Sequence, residues 1–232
     1  FKQKTAYEIY QCDWSSDVCS SDLYAFDGVY LDHIRFPGDE FDYGSRSVAA
    51  FRDWLRGQVD LERRRLADAQ ETLDPFAYPN AFPTEWRAFR RTQLTALLAR
   101  IRNVVQSARP KATVAAAVAD ADVRRPDTER LADWRTWIDS GFVDAVGPVV
   151  SGDLSGPAGV ELSRLLAVAG SEPVWVTIGA SRLSQRQTLD DIQAARSLGA
   201  RGVILFSYDG LVTPPRGVDY LASIGRSAFS GL

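Results

Sequence analysis

The stretch "GVYLDHIRF" (residues 28–36) decides the fold. Read as an extended chain, it places Val29 and Leu31 on one face and Tyr30 and Asp32 on the other. The apolar face suits a layer of covering helices. The opposite face carries a phenol and a carboxylate toward the strand's carboxyl end. "ATVAAAVA" (112–119), "VDAVGPVV" (143–150), "PVWVTIG" (173–179) and "GVILFSY" (202–208) are the other apolar runs of strand length.

Helical patterns separate these runs. One helix is expected from Ser47 to about Leu66, with Ala50, Leu55 and Leu61 among its apolar positions. "DPFAYPNAFP" (74–83) is proline-rich and reads as a loop. A long helix capped by Thr84 follows, its stripe formed by Trp86, Phe89, Leu94, Leu97, Leu98, Ile101, Val104 and Val105. Arg109-Pro110 ends it. Further helices are expected at about Asp127–Asp139, stopped by Gly141, and at 159–169. A third starts at a Thr188 cap and stops at Gly199, and a fourth covers Val218–Phe229. Trp86, Trp134, Trp137 and Trp175 read as packed side chains. Arg63–Arg65, Arg90-Arg91 and Arg124-Arg125 read as solvated faces.

Five near-continuous apolar strands, each followed by a helix, imply a parallel sheet covered by helices. No strand is followed by G-x-G-x-x-G, which argues against a dinucleotide fold. A complete (β/α)8 TIM barrel runs to about 250 residues. The expected fold class is therefore α/β, an incomplete TIM barrel comprising about five C-terminal β/α units of eight.

The chain has 232 residues and a net charge of −3, from 27 Lys and Arg against 30 Asp and Glu. This near balance argues against nucleic acid or an anionic membrane as the main partner, and no apolar run is long enough to span a bilayer. Residues 1–23 differ from the rest. Both cysteines, Cys12 and Cys19, lie there, as do Lys2 and Lys4, whereas Lys111 is the only lysine afterwards. Back-translated, "DWSSDVCSSDL" (13–23) resembles a common sequencing-library adapter and "KQKTAYEI" (2–9) its matching primer. The expectation is that 1–23 is adapter-derived and unstructured and that 24–232 is the partial barrel, entered inside a gene because the chain holds no Met. Such a half-ring would leave two open edges. It is expected to aggregate or pair with another copy and not to turn over substrate alone.

Active sites of such barrels lie at the carboxyl ends of the strands. Those ends carry Asp32, His33 and Arg35; Asp120 and Asp122; Ser151 and Asp153; Gly179, Ser181 and Arg182; and Ser207, Tyr208 and Asp209. Recurrent carboxylates suit glycoside hydrolysis, which uses one to protonate the leaving oxygen and one to attack or to activate water. Asp32 is the candidate nucleophile or base. Its alternative is a structural Asp paired with Arg35 or with turn amides. Asp120 and Asp122 are candidate acids, or else a solvated loop before a cap at Asp127. His33 is the single histidine and reads as a hydrogen bonder or substrate contact. With no second His and no Cys beyond residue 23, neither a metal site nor a Ser-His triad finds support, and no cofactor is expected.

"FDGVYLDHIRFPG" (26–38) resembles the signature of the glycosyl hydrolase-like 10 family, approximately DG-(I/L)-H-L-D-(Y/H)-(I/V)-R-(Y/F)-P at the fourth barrel strand. "EFDYGSRSVAAFRDWL", "DPFAYPNAFPTEWRAFRRTQLTALLARIR", "LADWRTWIDSGFVDAVGP", "TIGASRL" and "GARGVILFSYDGL" follow in the family's order, so the resemblance runs from 24 to about 212. It implies a TIM-barrel glycoside-hydrolase-like protein with a carbohydrate substrate, typically exported from bacteria to the periplasm or outside. Some relatives act on peptidoglycan glycan strands. By the same resemblance Asp32 is the motif aspartate and Arg35 the motif arginine. Tyr208 and Asp209 match the last strand's motif, and Asp120 matches only loosely. The chain departs from the family where Tyr30 replaces the motif His, where Val150 or Ser151 replaces a Tyr, and where Ser181 replaces a Tyr. With Tyr30, His33, Arg35, Ser151, Ser181, Arg182, Tyr208 and Asp209 as expected substrate contacts, these changes motivate an alternative: a non-catalytic glycan-binding barrel.

Overall fold

The computed structural model describes residues 27–118, 131–150, 152–213 and 218–229. Five strands, β1 (Gly28–Leu31), β2 (Thr113–Val118), β3 (Ala145–Val150), β4 (Trp175–Ile178) and β5 (Gly202–Leu205), pair in chain order, every pair parallel. They curl into a half-barrel with helices on the outside, the architecture expected for an incomplete TIM barrel. Tyr30 lies beside Ala115 and Ala115 beside Ala145, while Ala117 pairs with Gly147 and Thr177 with Val149. Parallel strands need crossovers, and the helices supply them.

The pleat separates two faces. Val114, Ala116, Val118, Val146, Val174, Val176 and Ile178 point into the helical layer and form the main core with Leu94, Leu97, Leu98, Trp134, Trp137, Leu162 and Ile192. Each large aliphatic side chain withdrawn from water there is worth about 1.5–3 kcal/mol. Leu31 packs against the same core, as its alternation with Tyr30 requires. The inner face is built of small residues: Ala115, Ala117, Ala145 and Gly147 are all buried.

The helices are α1 (Ser45–Leu55), α2 (Leu61–Gln70), α3 (Ala77–Ala81), α4 (Pro83–Ala108), α5 (Trp134–Asp139), α6 (Pro157–Ala169), α7 (Gln185–Leu198), α8 (Tyr208–Val212) and α9 (Val218–Phe229). Several boundaries depart from the periodicity. The single helix expected over 47–66 is two, because Asp60 accepts a 2.9 Å bond from the Arg63 amide and starts a new helix after a turn at Gly57. The proline-rich stretch contains α3. Pro83, not Thr84, opens α4, since proline at the first helical position gives up an amide with no intrahelical partner. Leu131 stands outside α5 with φ +57°. α7 is capped by Ser184 and Gln187 in a reciprocal box, and Thr188 is instead buried against the Tyr220 hydroxyl at 2.8 Å. Gly199 ends α7 at φ +102°, as expected. β1 and β5 are shorter than their apolar runs, and Tyr208 opens a helix. Val104 is exposed.

α4 runs through two cores. Its later turns enter the main core. Its first turns place Trp86 and Phe89 in an aromatic cluster with Phe51, Leu55, Tyr78 and Phe82. Phe51 meets Trp86 edge-on at 5.0 Å and Phe89 tilted at 5.5 Å. Arg90 sits between the cores and is 1% exposed, which corrects its reading as a solvated residue. Its guanidinium donates to the Asp39 and Phe41 carbonyls, both at 3.1 Å, and to the Asp39 carboxylate at 3.2 Å. It also lies over the Phe36, Tyr43 and Trp86 rings at 5.5, 5.9 and 5.2 Å. The segment leaving β1 is thereby pinned to α4.

A second buried ionisable group holds another mouth loop. Asp191 of α7 accepts from the Leu154 amide at 3.0 Å, and burial raises its carboxyl above the ordinary 3.8.

Arg90→Met should cost about 3 kcal/mol or more, because it orphans buried acceptors, while Arg91→Met should stay within about 0.5 kcal/mol. Urea unfolding of the pair checks this, and coincident midpoints would refute it. A carboxyl with a raised folded pKa favours the folded state most when protonated, so its contribution is lost as pH rises through that pKa. Asp191→Asn keeps an oxygen for Leu154 without the charge. The variant should therefore gain on the parent chain as pH rises above about 4, and a constant difference in urea midpoint between acid and neutral pH would contradict the assignment.

Candidate active site

The site starts where β1 stops. Beyond Leu31 the chain leaves the sheet with alternating fates: Ile34 and Phe36 are buried in the main core, while Asp32 and His33 remain at the surface. The Arg35 amide donates to the His33 carbonyl at 2.8 Å and closes a tight turn. His33 itself is left-handed, at φ +55°.

This turn makes a specific pair. The His33 amide donates to Asp32 Oδ1 at 2.8 Å, and His33 Nδ1 lies 2.9 Å from Asp32 Oδ2. The side chains of Asp32 and His33 are 61% and 64% exposed. Of the two structural alternatives for Asp32, the bond to a turn amide is present. Among the described residues no ion pair joins Asp32 to Arg35, whose place is taken by His33. Arg35 is half-buried.

Tyr30, one strand position from Leu31, lies across the inner face. Its hydroxyl is 3.2 Å from Thr177 Oγ1 on β4 and 3.5 Å from the Gly147 carbonyl on β3. A Cβ at Gly147 would fall 2.5 Å from Tyr30 Oη, so the phenol occupies the space a larger residue would fill. Burial raises the Tyr30 hydroxyl above the ordinary 10.0, opposed by the Thr177 bond and reinforced by the charge of Asp32. The phenol therefore keeps its proton at neutral pH, and its hydroxyl lies within the field of the Asp32 carboxylate. Tyr30 lies on the inner side of β1, as strand alternation predicts, whereas Asp32 follows the strand's end in the turn, near enough for its charge to act on the phenol. The sequence reading missed Thr177 and Gly147. A glycine inside the apolar run of β3 was the available signal.

The ends of β4 and β5 form a second group. After β4 a tight turn spans Ala180–Arg182, and the Ser181 amide donates to the Phe206 carbonyl at 3.1 Å. A Cβ at Gly210 would lie 2.7 Å from Ser181 Cβ, so glycine permits α8 to approach this turn. Ser181 is half-buried, and Arg182, Tyr208 and Asp209 are exposed around it. The Phe206–Ser207 peptide bond is cis. Asp153, after β3, serves its own turn: Ser155 N and Oγ both donate to its Oδ1 at 2.7 Å and lower its carboxyl below the ordinary 3.8. Asp120, Asp122 and Ser151 lie outside the described residues. Trp86, Trp134 and Trp137 are fully buried, as expected. Trp175 packs over Gly202 low on the inner face.

Among the described residues no group of three or more His, Cys, Asp or Glu side chains could hold a metal ion, and no helix is long and apolar enough to cross a membrane. The geometry is thus an Asp-His pair near a phenol at the carboxyl edge of a parallel half-barrel, with a second polar group three and four strands farther round, after β4 and β5. No curated protein matches the chain. The family model described as glycosyl hydrolase-like 10 matches residues 17–163, which takes in β1 to most of α6, while the similar motifs at 177–183 and 199–211 lie past it. The match covers more than half of the chain and agrees with the signature at β1 and with the fold built from it: the chain belongs to the glycosyl hydrolase-like 10 family.

Proposed function

We propose that the chain carries part of the active site of a glycoside hydrolase that cleaves O-glycosidic bonds of a polysaccharide or peptidoglycan-type glycan. The observation that supports this best is the exposed Asp32 carboxylate just past the end of a barrel strand, its charge felt by Tyr30 and both its oxygens held by His33. Asp32 is the group that attacks the anomeric carbon or activates water. Tyr30, His33, Arg35, Ser181, Arg182, Tyr208 and Asp209, with Ser151, contact sugar hydroxyls. Asp120 or Asp122 supplies a further carboxyl.

The second reading is a glycan-binding barrel without chemistry. Tyr30 and Ser181, which replace the family's His and Tyr, favour it. The two readings separate in a family protein with a closed barrel. Changing the aspartate at the Asp32 position to Asn should lower release of reducing ends from glycan strands by about 100-fold or more. Undiminished release would remove Asp32 from the chemistry. Saturable oligosaccharide binding by the parent with no reducing ends released would establish the second reading.

The open edges bear on the chain itself. Among the described residues β1 pairs only with β2 and β5 only with β4, and Leu31, Val203, Ile204 and Leu205 are partly exposed there. Unpaired parallel edges template association. Sedimentation should therefore show dimers or larger species that shift toward monomer in Val29→Lys/Ile204→Lys. A concentration-independent monomer would contradict this.

A further inference from the structure

We infer that His33 is a catalytic residue and Asp32 its positioning partner: the proton is exchanged at His33 Nε2, and the carboxylate acts through the imidazole. This rests on the reading of the strand ends as a hydrolytic site and replaces direct attack by Asp32 with activation of water through His33.

The geometry carries the assignment. Both Asp32 oxygens face His33, Oδ2 at 2.9 Å from Nδ1 and Oδ1 at 2.8 Å from the backbone amide. A ring nitrogen held against a carboxylate is fixed as the N–H, which leaves the other nitrogen with its lone pair. Nε2 is then the basic atom, and among the described residues no hydrogen bond occupies it. A packed structural histidine would be covered, whereas this one is 64% exposed at the mouth of the sheet. Its backbone, left-handed at φ +55°, turns the imidazole back onto the residue before it. A non-glycine residue held in that region is uncommon, and such residues concentrate at functional sites. Around the pair, Tyr30 is the neighbouring titratable group that feels the Asp32 charge. It is pinned to Thr177 and does not compete for Nδ1.

The proton balance closes through solvent. Water oxygen bonds to the anomeric carbon as its proton moves to Nε2, and the bond from that carbon to the leaving oxygen breaks. Nδ1–H stays on Asp32, whose negative charge offsets the imidazolium. The departing oxygen takes its proton from solvent water on its own face of the sugar, and the imidazolium releases its proton from Nε2 to solvent. One water is consumed, and His33 and Asp32 end as they began. The orientation of an imidazole by a carboxylate is the logic of the Ser-His-Asp triad, here with water as nucleophile.

The single histidine gives an unambiguous probe. The chain labelled with 15N-histidine, read by solution or magic-angle-spinning NMR above the imidazole titration, should show predominantly the Nδ1–H tautomer. Asp32→Asn should convert it to predominantly Nε2–H, the form a free imidazole prefers. A parent chain already in the Nε2–H form, or a tautomer unmoved by Asp32→Asn, would overturn the dyad whether or not the site hydrolyses glycans. The proton-exchange role is tested in a closed-barrel family protein that carries Asp-His at these positions. His→Gln should lower kcat for reducing-end release by about 100-fold with KM little changed. Unchanged kcat would overturn that role, and a parent without hydrolysis would defeat the hydrolytic reading while leaving the NMR result to stand.

Discussion

Arg90 is the constraint on which the arrangement of the mouth depends. A guanidinium removed from water carries a large desolvation cost, which its partners must offset. Here two carbonyls and one carboxylate meet its two terminal nitrogens and three aromatic faces meet its charge, while Nε is buried without a hydrogen-bond partner. All of those partners except Trp86 belong to residues 36–43, the segment that continues from Asp32 and His33. Phe36 belongs to the main core and Trp86 to the aromatic cluster, so one side chain joins the two. The loop that leaves the site is therefore anchored at both ends, by the sheet at Leu31 and by Arg90 at Asp39 and Phe41.

The inner face obeys a different rule from the outer one. Outside, branched side chains fill the space beneath helices. Inside, Ala115, Ala117, Ala145 and Gly147 leave room that Tyr30 fills from β1, reaching the third and fourth strands. Trp175 does the same over Gly202 at the opposite end of the sheet. Small residues in the middle strands and large aromatic ones at selected positions give a floor made by a few side chains lying flat. The phenol in that floor lies within the field of Asp32 and is a protonated, hydrogen-bonding group.

The sequence disclosed what depends on local periodicity. Five strands and their covering helices follow from alternation and from stripes at helical spacing, and the side of β1 that carries Tyr30 follows from a two-residue repeat. What it concealed is set by contacts distant in the chain. Arg90-Arg91 looks like a solvated pair because nothing local distinguishes a guanidinium that will meet Asp39 from one that will not. Thr188 looks like a cap because its partner, Tyr220, lies on another helix, whereas the true cap is four residues earlier with its glutamine at the proper spacing. The division of the 47–66 stretch was legible in principle, since Gly57 and Asp60 are a stop and a start. Thr177 could be read as a strand residue but not as the partner of Tyr30.

The Asp32–His33 pair stands between these cases. Its members are adjacent in sequence, so no long-range contact is needed to bring them together, yet alternation alone places them on opposite sides of a continuing strand. They meet because the strand ends at Leu31 and His33 turns left-handed. That turn is fixed in place by Ile34 and Phe36, which enter the core directly behind it and draw the chain inward. Burying two apolar residues thus holds two polar ones in an exposed, mutually bonded geometry. The same segment that completes the hydrophobic core also presents the imidazole.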